Sequence, residues 1–317
     1  MKTLYTLRPA LQRLALLTVL VVAWVGLQAR PLPNGTPSVT TTDGVALYAR
    51  VAGQGLPCVF VHGGPGAGSF AVESLAGPVL EAQFQMIYLD QRGSGRSASS
   101  PAKSYGLDRL VLDLEELRQQ LGLKKWVLMS HSFGGIIATA YASKYPERVQ
   151  GLILVNSILS LPASMESYAS AGYALLPAAT RPPLDPAAPL PQRFFMVSAL
   201  LGQQRLQGQL MYAHDSTATR LARLEPAQPA NLDFASSLFN QPGSIDGYLQ
   251  DFTAITAQLK IPVLVLPGAA DHVTGPTHHQ SFHFPRQQVV VMPGKHYALI
   301  ESPREFGQAL AGFGKML

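Results

Sequence analysis

A single cysteine, Cys58, is all that 317 residues contain, so no disulfide can form within the chain. It lies in the apolar run Cys58-Val59-Phe60-Val61 and reads as a core residue, not a nucleophile. Charge is also scarce: 14% of residues are charged and the net charge is +5. Lys2, Arg8 and Arg13 supply three of those charges, which leaves +2 for the chain after residue 29. No basic stripe with interleaved aromatics is found there, so no nucleic-acid partner is expected. There are no internal repeats, and no apolar run approaches the roughly 20 residues of a membrane span. What is present is hydrophobic content of 47% and a mean hydropathy of +0.14, enough for a substantial core and unlike a disordered polyelectrolyte. The length suits one large α/β unit.

The first 29 residues read as a targeting segment. Lys2, Arg8 and Arg13 precede the uncharged run Leu14–Leu27, and Leu27-Gln28-Ala29 offers a small residue for cleavage before Arg30. The expectation is an exported protein, periplasmic or extracellular. The alternative is attachment to a membrane through residues 14–27.

After a linker at Pro31–Ser38, apolar runs alternate with amphipathic ones. Val39–Thr42 and Val45–Val51, split by Asp43-Gly44, predict a hairpin. Strands are expected at Cys58–Val61, Met86–Leu89, Trp126–Met129 and Leu152–Val155, and later at Ile261–Leu266 and Val289–Met292. Leu107, Leu110, Val111, Leu114, Leu117 and Leu121 are spaced for one helix face, and Ile136–Tyr145 and Glu305–Phe313 read as further helices. Such alternation predicts a mostly parallel sheet with helices on both faces. The rhythm fails over residues 158–256, rich in Ala, Leu, Gln and Pro, which predicts a helical cap inserted between core parts 30–157 and 257–317.

In a parallel sheet, ligands bind outside the carboxyl ends of the strands. Ser130-His131-Ser132-Phe133-Gly134 falls there, close to the G-x-S-x-G elbow that thrusts a serine into a cleft at a helix N-terminus. Gly134 and Gly135 supply the small residues on the helix side; Ser130 departs from the pattern by a hydroxymethyl group. Ser132 as a simple helix cap is the plainer alternative. A serine nucleophile needs a base and an orienter, in the chain order Ser, Asp or Glu, His. Asp271 follows the strand at 261–266 and His296 the strand at 289–292, both at carboxyl ends. Each alone could be a turn or loop residue; together with Ser132 they predict a triad. Asp246 and Asp251 are weaker orienters because they precede the strand. The glycines of "FVHGGPGAGSF" (60–70) let backbone N–H groups face a cleft, as an oxyanion hole requires. They lack the lysine of a phosphate-binding loop.

With "HGGPG" (His62–Gly66), "DQRGSGRS" (Asp90–Ser97) and "SHSFGG" (Ser130–Gly135), the chain from about residue 38 onward resembles the α/β-hydrolases, and within them the proline iminopeptidase-like group. The resemblance implies an α/β-hydrolase fold with Ser132 as nucleophile, His296 as general base and Asp271 as its orienter. The N–H groups of Gly64 and Phe133 would form the oxyanion hole, no cofactor would be needed, and Arg92 and Arg96 would play no catalytic part. The implied activity is release of an N-terminal residue from peptides through an acyl-enzyme, so the partner is a short peptide or other small molecule.

That activity requires recognition of a free N-terminal amine, for which the cap offers Glu166, Asp185, Asp215, Glu225, Asp233, Asp246 and Asp251. The cap contains no tryptophan, unlike the setting the group implies, and its Leu, Phe and Tyr suit an ester equally well. Carboxylesterase activity is therefore the first alternative, and a non-catalytic binding module of the same fold a second. His272, His278, His279 and His283 form a cluster in which His279 and His283 could share a helix face as metal ligands do. No nearby set completes it, so no metal is expected.

Overall fold

The computed structural model describes residues 32–317 apart from 180, 225, 226, 228–230 and 242. The targeting segment over residues 1–29 lies outside the described residues. Strands β1 (Val39–Thr40) and β2 (Ala46–Leu47) form the expected hairpin as a small antiparallel ribbon. Its second arm then breaks, and β3 (Ala49–Ala52) leaves it for the main sheet. That sheet has seven strands in the order β3-β5-β4-β6-β7-β8-β9. Its other members are β4 (Pro57–Val61), β5 (Gln85–Leu89), β6 (Trp126–Ser132), β7 (Val149–Ser157), β8 (Val263–Leu266) and β9 (Gln287–Val289). Only β3 runs antiparallel; every other pair is parallel.

Strands β5 and β6 are buried along their whole length, so both faces of the sheet need cover. One face packs on α1 (Phe70–Glu81), α9 (Ala298–Glu301) and α10 (Pro303–Gly314), with Phe60, Tyr88, Met129, Phe306 and Phe313 in a common core. On the other, Val61 and Leu89 meet Leu110 and Leu114 of α2 (Leu107–Gln120) and Ile137 of α3 (Gly134–Lys144). Burying roughly 1.5–3 kcal/mol per large apolar side chain, this double cover is the main stabilising term. The buried Arg92 guanidinium ties the hairpin to α2, donating to Asp113 at 2.6 and 2.7 Å and to Asp43 at 2.9 Å.

Between β7 and β8 the described residues form helices: α4 (Leu161–Leu175), α5 (Leu190–Gln203), α6 (Gln207–Met211), α7 (Asp215–Leu224) and α8 (Asp233–Asn240). They hold a satellite core of Tyr168, Leu176, Val197, Leu201 and Leu210.

Two elements depart from the sequence reading. Helix α1 has no counterpart there, because Gly77 and Pro78 sit in its second half and read as breakers. The last strand pairs earlier than expected, at Gln287–Val289, and Met292 makes only an isolated bridge to Gly268.

Candidate active site

The corner after β6 answers why glycines are needed there. A Cβ on Gly134 would lie 2.2 Å from the Val61 carbonyl oxygen, and one on Gly135 2.7 Å from Ser157 Cβ. Strand and helix are pressed together, and the chain crosses between them with Ser132 at φ +54°. A non-glycine residue in this left-handed region costs roughly 1–3 kcal/mol, borne by the surrounding packing. The strand-side departure is accommodated: Ser130 is buried and its hydroxyl pairs with that of Ser157 at 2.9 Å.

The structure brings Ser132, His296 and Asp271 into one hydrogen-bonded line. Ser132 Oγ lies 3.0 Å from His296 Nε2, and His296 Nδ1 lies 3.1 and 3.2 Å from the two Asp271 carboxylate oxygens. An ionised carboxylate only accepts, so Nδ1 carries the proton and Nε2 accepts from the serine hydroxyl. All three residues are buried. Asp271 also accepts from Asn156 Nδ2 at 2.7 Å, Thr274 Oγ1 at 2.7 Å, and the Val273 and Thr274 N–H groups at 2.9 and 3.2 Å. Burial works to raise its pKa, but the nearby His296 and the hydrogen bonds from His296, Thr274 and Asn156 outweigh it. The carboxyl is held well below its usual range.

Several supporting residues escaped the sequence reading. Asn156, near the end of β7 at φ +44°, also donates to the Lys295 carbonyl at 3.1 Å. Its signal was a polar residue following the apolar run Leu152–Val155, at the same sheet edge as Ser132. His131 donates from Nε2 to the His296 carbonyl at 2.8 Å, its ring 4.7 Å from that of His296. Burial and the neighbouring His296 pull its pKa down to about 3, so it is neutral. The main chain of His296 is held from the cap as well, its N–H donating to the Met211 carbonyl at 3.1 Å. Ala213 and His214 N–H groups donate to Glu301 Oε1 at 2.8 and 3.1 Å. Nothing local in the sequence marks that strap.

Of the two backbone donors expected from the resemblance, Phe133 directly follows Ser132 at the start of α3 and Gly64 lines the same cavity as Ser132. His62 Nε2 accepts from the Gln91 N–H at 2.9 Å, so its Nδ1 donates to the Gly63 carbonyl at 2.8 Å. In a trans peptide the C=O and the following N–H point opposite ways, which turns the Gly64 N–H away from His62. Gly63 itself lies against the serine: a Cβ there would be 2.6 Å from Ser132 Cβ.

Ser132 opens into a cavity of about 720 Å³ whose wall also includes His296, Met211, Tyr212 and Tyr297. No described residue in that wall is Asp, Glu, Lys or Arg. The cap carboxylates are engaged elsewhere, Glu166 with Arg193 and Asp233 with Lys103, and none of the described ones lines the cavity. Glu225 lies outside the described residues. The histidine cluster does not share a helix face: His278–Ser281 is a short 3₁₀ turn, where His278 Nε2 accepts from the Leu159 and Ser160 N–H groups at 3.1 and 3.3 Å.

Comparison with known proteins agrees with this geometry at the level of fold. A family model described as alpha/beta hydrolase fold matches residues 57–303. A proline iminopeptidase of Neisseria meningitidis is 40% identical over 111 residues, 35% of this chain and 35% of that protein. The match thus spans about a third of that relative's length. A probable proline iminopeptidase of Leptolyngbya boryana is 26% identical over 81% of this chain and 86% of its own length. Among solved structures, a proline iminopeptidase-related protein from Thermus thermophilus superposes with a TM-score of 0.73 at 23% identity, over 90% of this chain and all of that one.

Proposed function

The chain belongs to the alpha/beta hydrolase fold family, and from that premise we propose that it is a serine hydrolase cleaving uncharged carboxylic acid derivatives, esters foremost, through an acyl-enzyme. The observation that carries the reading is the Ser132–His296–Asp271 line opening into an uncharged cavity. His296 Nε2 takes the Ser132 proton as Oγ attacks the substrate carbonyl, and Asp271 holds the imidazole in the tautomer this requires. The Gly64 and Phe133 N–H groups stabilise the oxyanion of the tetrahedral intermediate. His296 then protonates the leaving group, and in the second half-reaction activates water to release the acid. His131, neutral and bonded to the His296 main chain, fixes the base without competing for protons.

A second reading, an aminopeptidase of the proline iminopeptidase kind, is favoured by the 40% identical stretch shared with the Neisseria protein. It requires a carboxylate for the substrate ammonium, and the cavity wall offers none among the described residues. A pair of anilides separates the two. Prolyl and cyclopentanecarbonyl p-nitroanilide share ring size and leaving group and differ by the ring ammonium. The esterase reading expects p-nitrophenyl ester turnover with no preference for the prolyl anilide; faster prolyl release would establish the peptidase. Ester hydrolysis surviving Ser132→Ala would refute both.

A further inference from the structure

Helix α7 is amphipathic in an unusual setting. Its apolar face, Ala218, Leu221 and Ala222 at i, i+3 and i+4, lines the substrate cavity, while Arg220 and Arg223 lie off that face. Ala71 of α1 lines the same cavity. Three of these four residues are alanine, which leaves space that larger side chains would fill. Leu221 is the larger one, and it packs against the core that Val72 shares with the sheet. Leu232, also on the cavity wall, is left 60% exposed. A cavity of about 720 Å³ holds on the order of two dozen waters. Along these residues the wall offers those waters apolar surface, so an apolar occupant would displace them favourably. Three polar residues of the wall are also neutral near pH 7: burial holds His62 and His131 below the ordinary histidine range and Tyr297 above the ordinary tyrosine range.

We propose that the wall formed by Ala71, Ala218, Leu221 and Ala222 is a binding site for the apolar chain of the substrate, which makes esters with medium-length hydrocarbon chains the class this enzyme hydrolyses. The proposal rests on the assignment of Ser132 as nucleophile. It goes beyond that assignment in specifying chain, location and helix. An ester bound at Ser132 has two possible sources of chain, the acyl group and the alcohol, and the two substrate series below distinguish them.

The test is kcat/KM of the full chain on two series: p-nitrophenyl acetate, butyrate, hexanoate and octanoate, and the acetates of ethanol through octanol. Each buried methylene should raise kcat/KM about fourfold until the cavity is filled. At least one series should therefore climb tenfold or more over its first two methylenes. Ala218→Phe and, separately, Ala71→Leu should lower the octyl-to-shortest-chain ratio in that series by at least tenfold. Because the readout is a ratio within one protein, a general loss of activity does not imitate it. Flat or falling profiles in both series of the wild type overturn the proposal without needing any variant, and so does an unchanged ratio in both folded variants. Hydrolysis that persists in Ser132→Ala overturns instead the assignment beneath it, and the chain site falls with it. Prolyl p-nitroanilide turned over faster than the cyclopentanecarbonyl analogue overturns the apolar-chain class while leaving Ser132 in place.

Discussion

Replacing Asp271 by asparagine removes one charge and barely alters shape, so its effect isolates what the carboxylate does. Five donors converge on that group: His296 Nδ1, Asn156 Nδ2, Thr274 Oγ1 and the Val273 and Thr274 N–H groups. Asparagine keeps one acceptor oxygen and brings an NH₂ that must face at least one of those donors. If the NH₂ faces His296, the ring presents a bare Nδ1 and carries its proton on Nε2, against the Ser132 hydroxyl 3.0 Å away. That tautomer cannot accept the serine proton. The loss expected for a base in the wrong tautomer is about 10⁴ in kcat, or about 5.5 kcal/mol of transition-state stabilisation. Because both carboxylate oxygens lie within 3.2 Å of Nδ1, either amide orientation sets the NH₂ beside the ring and against two further buried donors, Asn156 Nδ2 and Thr274 Oγ1 or the Val273 and Thr274 N–H groups, costing roughly 1–3 kcal/mol of stability. The assay is kcat on the best ester beside a thermal melt. A large kcat loss with a small shift in melting temperature supports the tautomer argument. A kcat loss below tenfold in a folded protein would refute the role given to Asp271, whichever way the melt moved. A second signature follows from pH. The Asp271 pKa is depressed in the folded state, so its stabilisation is present above the unfolded value of 3.8 and disappears as pH falls through the folded one. Asp271→Asn should flatten acid denaturation below pH 4.

Further expectations are as concrete. Ser132→Ala should lower kcat by about 10⁶ with the fold intact, checked by single-turnover kinetics and circular dichroism. Gly63→Ala places a Cβ 2.6 Å from Ser132 Cβ and should cost at least about 10² in kcat through the displaced nucleophile, whereas an active Gly63→Ala protein would show that the loop has room to give. Glu301→Ala releases the Ala213 and His214 N–H groups that fix the strap carrying Met211 and Tyr212 into the cavity, and KM should rise about tenfold with little change in kcat. Glu301→Gln retains an acceptor and should restore most of that affinity; equal losses in KM and kcat for both variants would contradict a positioning role. His278 is pushed by burial down to about 4 from an ordinary 6.5 while accepting two N–H groups at the start of α4. The unfolded chain therefore binds the extra proton between pH 4 and 6.5, and stability rises with pH across that window. His278→Gln, which keeps an acceptor, should shrink the slope seen in melts between about pH 4.5 and 6.5.

Much of this site was legible in the sequence because the chemistry sits at ends of buried strands. Apolar runs at 58–61, 126–129, 152–155 and 261–266 announced parallel strands, and polar residues just past them had to stand at one sheet edge. Ser132 and Asp271 stand there, and His296 follows the run at 289–292, whose pairing begins earlier, at Gln287. What escaped was set by packing between distant segments. The strap at 209–214 and its Glu301 contacts depend on where the cap settles, and the His131 bond to the His296 carbonyl on how two distant core segments meet, neither of which a local pattern encodes. Helix α1 was missed for a different reason: Gly77 and Pro78 lower its intrinsic propensity, and burial of Val72, Ala76 and Leu80 against the sheet overrides them. The cavity wall on α7 was invisible because an alanine face reads as neither core nor surface.

The central claim is that Ser132 Oγ is the attacking atom, and covalent capture tests it most directly. Wild-type protein treated with a fluorophosphonate, digested and mapped by mass spectrometry should carry one adduct, on the peptide containing Ser132, and Ser132→Ala should carry none. An adduct on another residue, or equal labelling of the folded variant, would contradict the account.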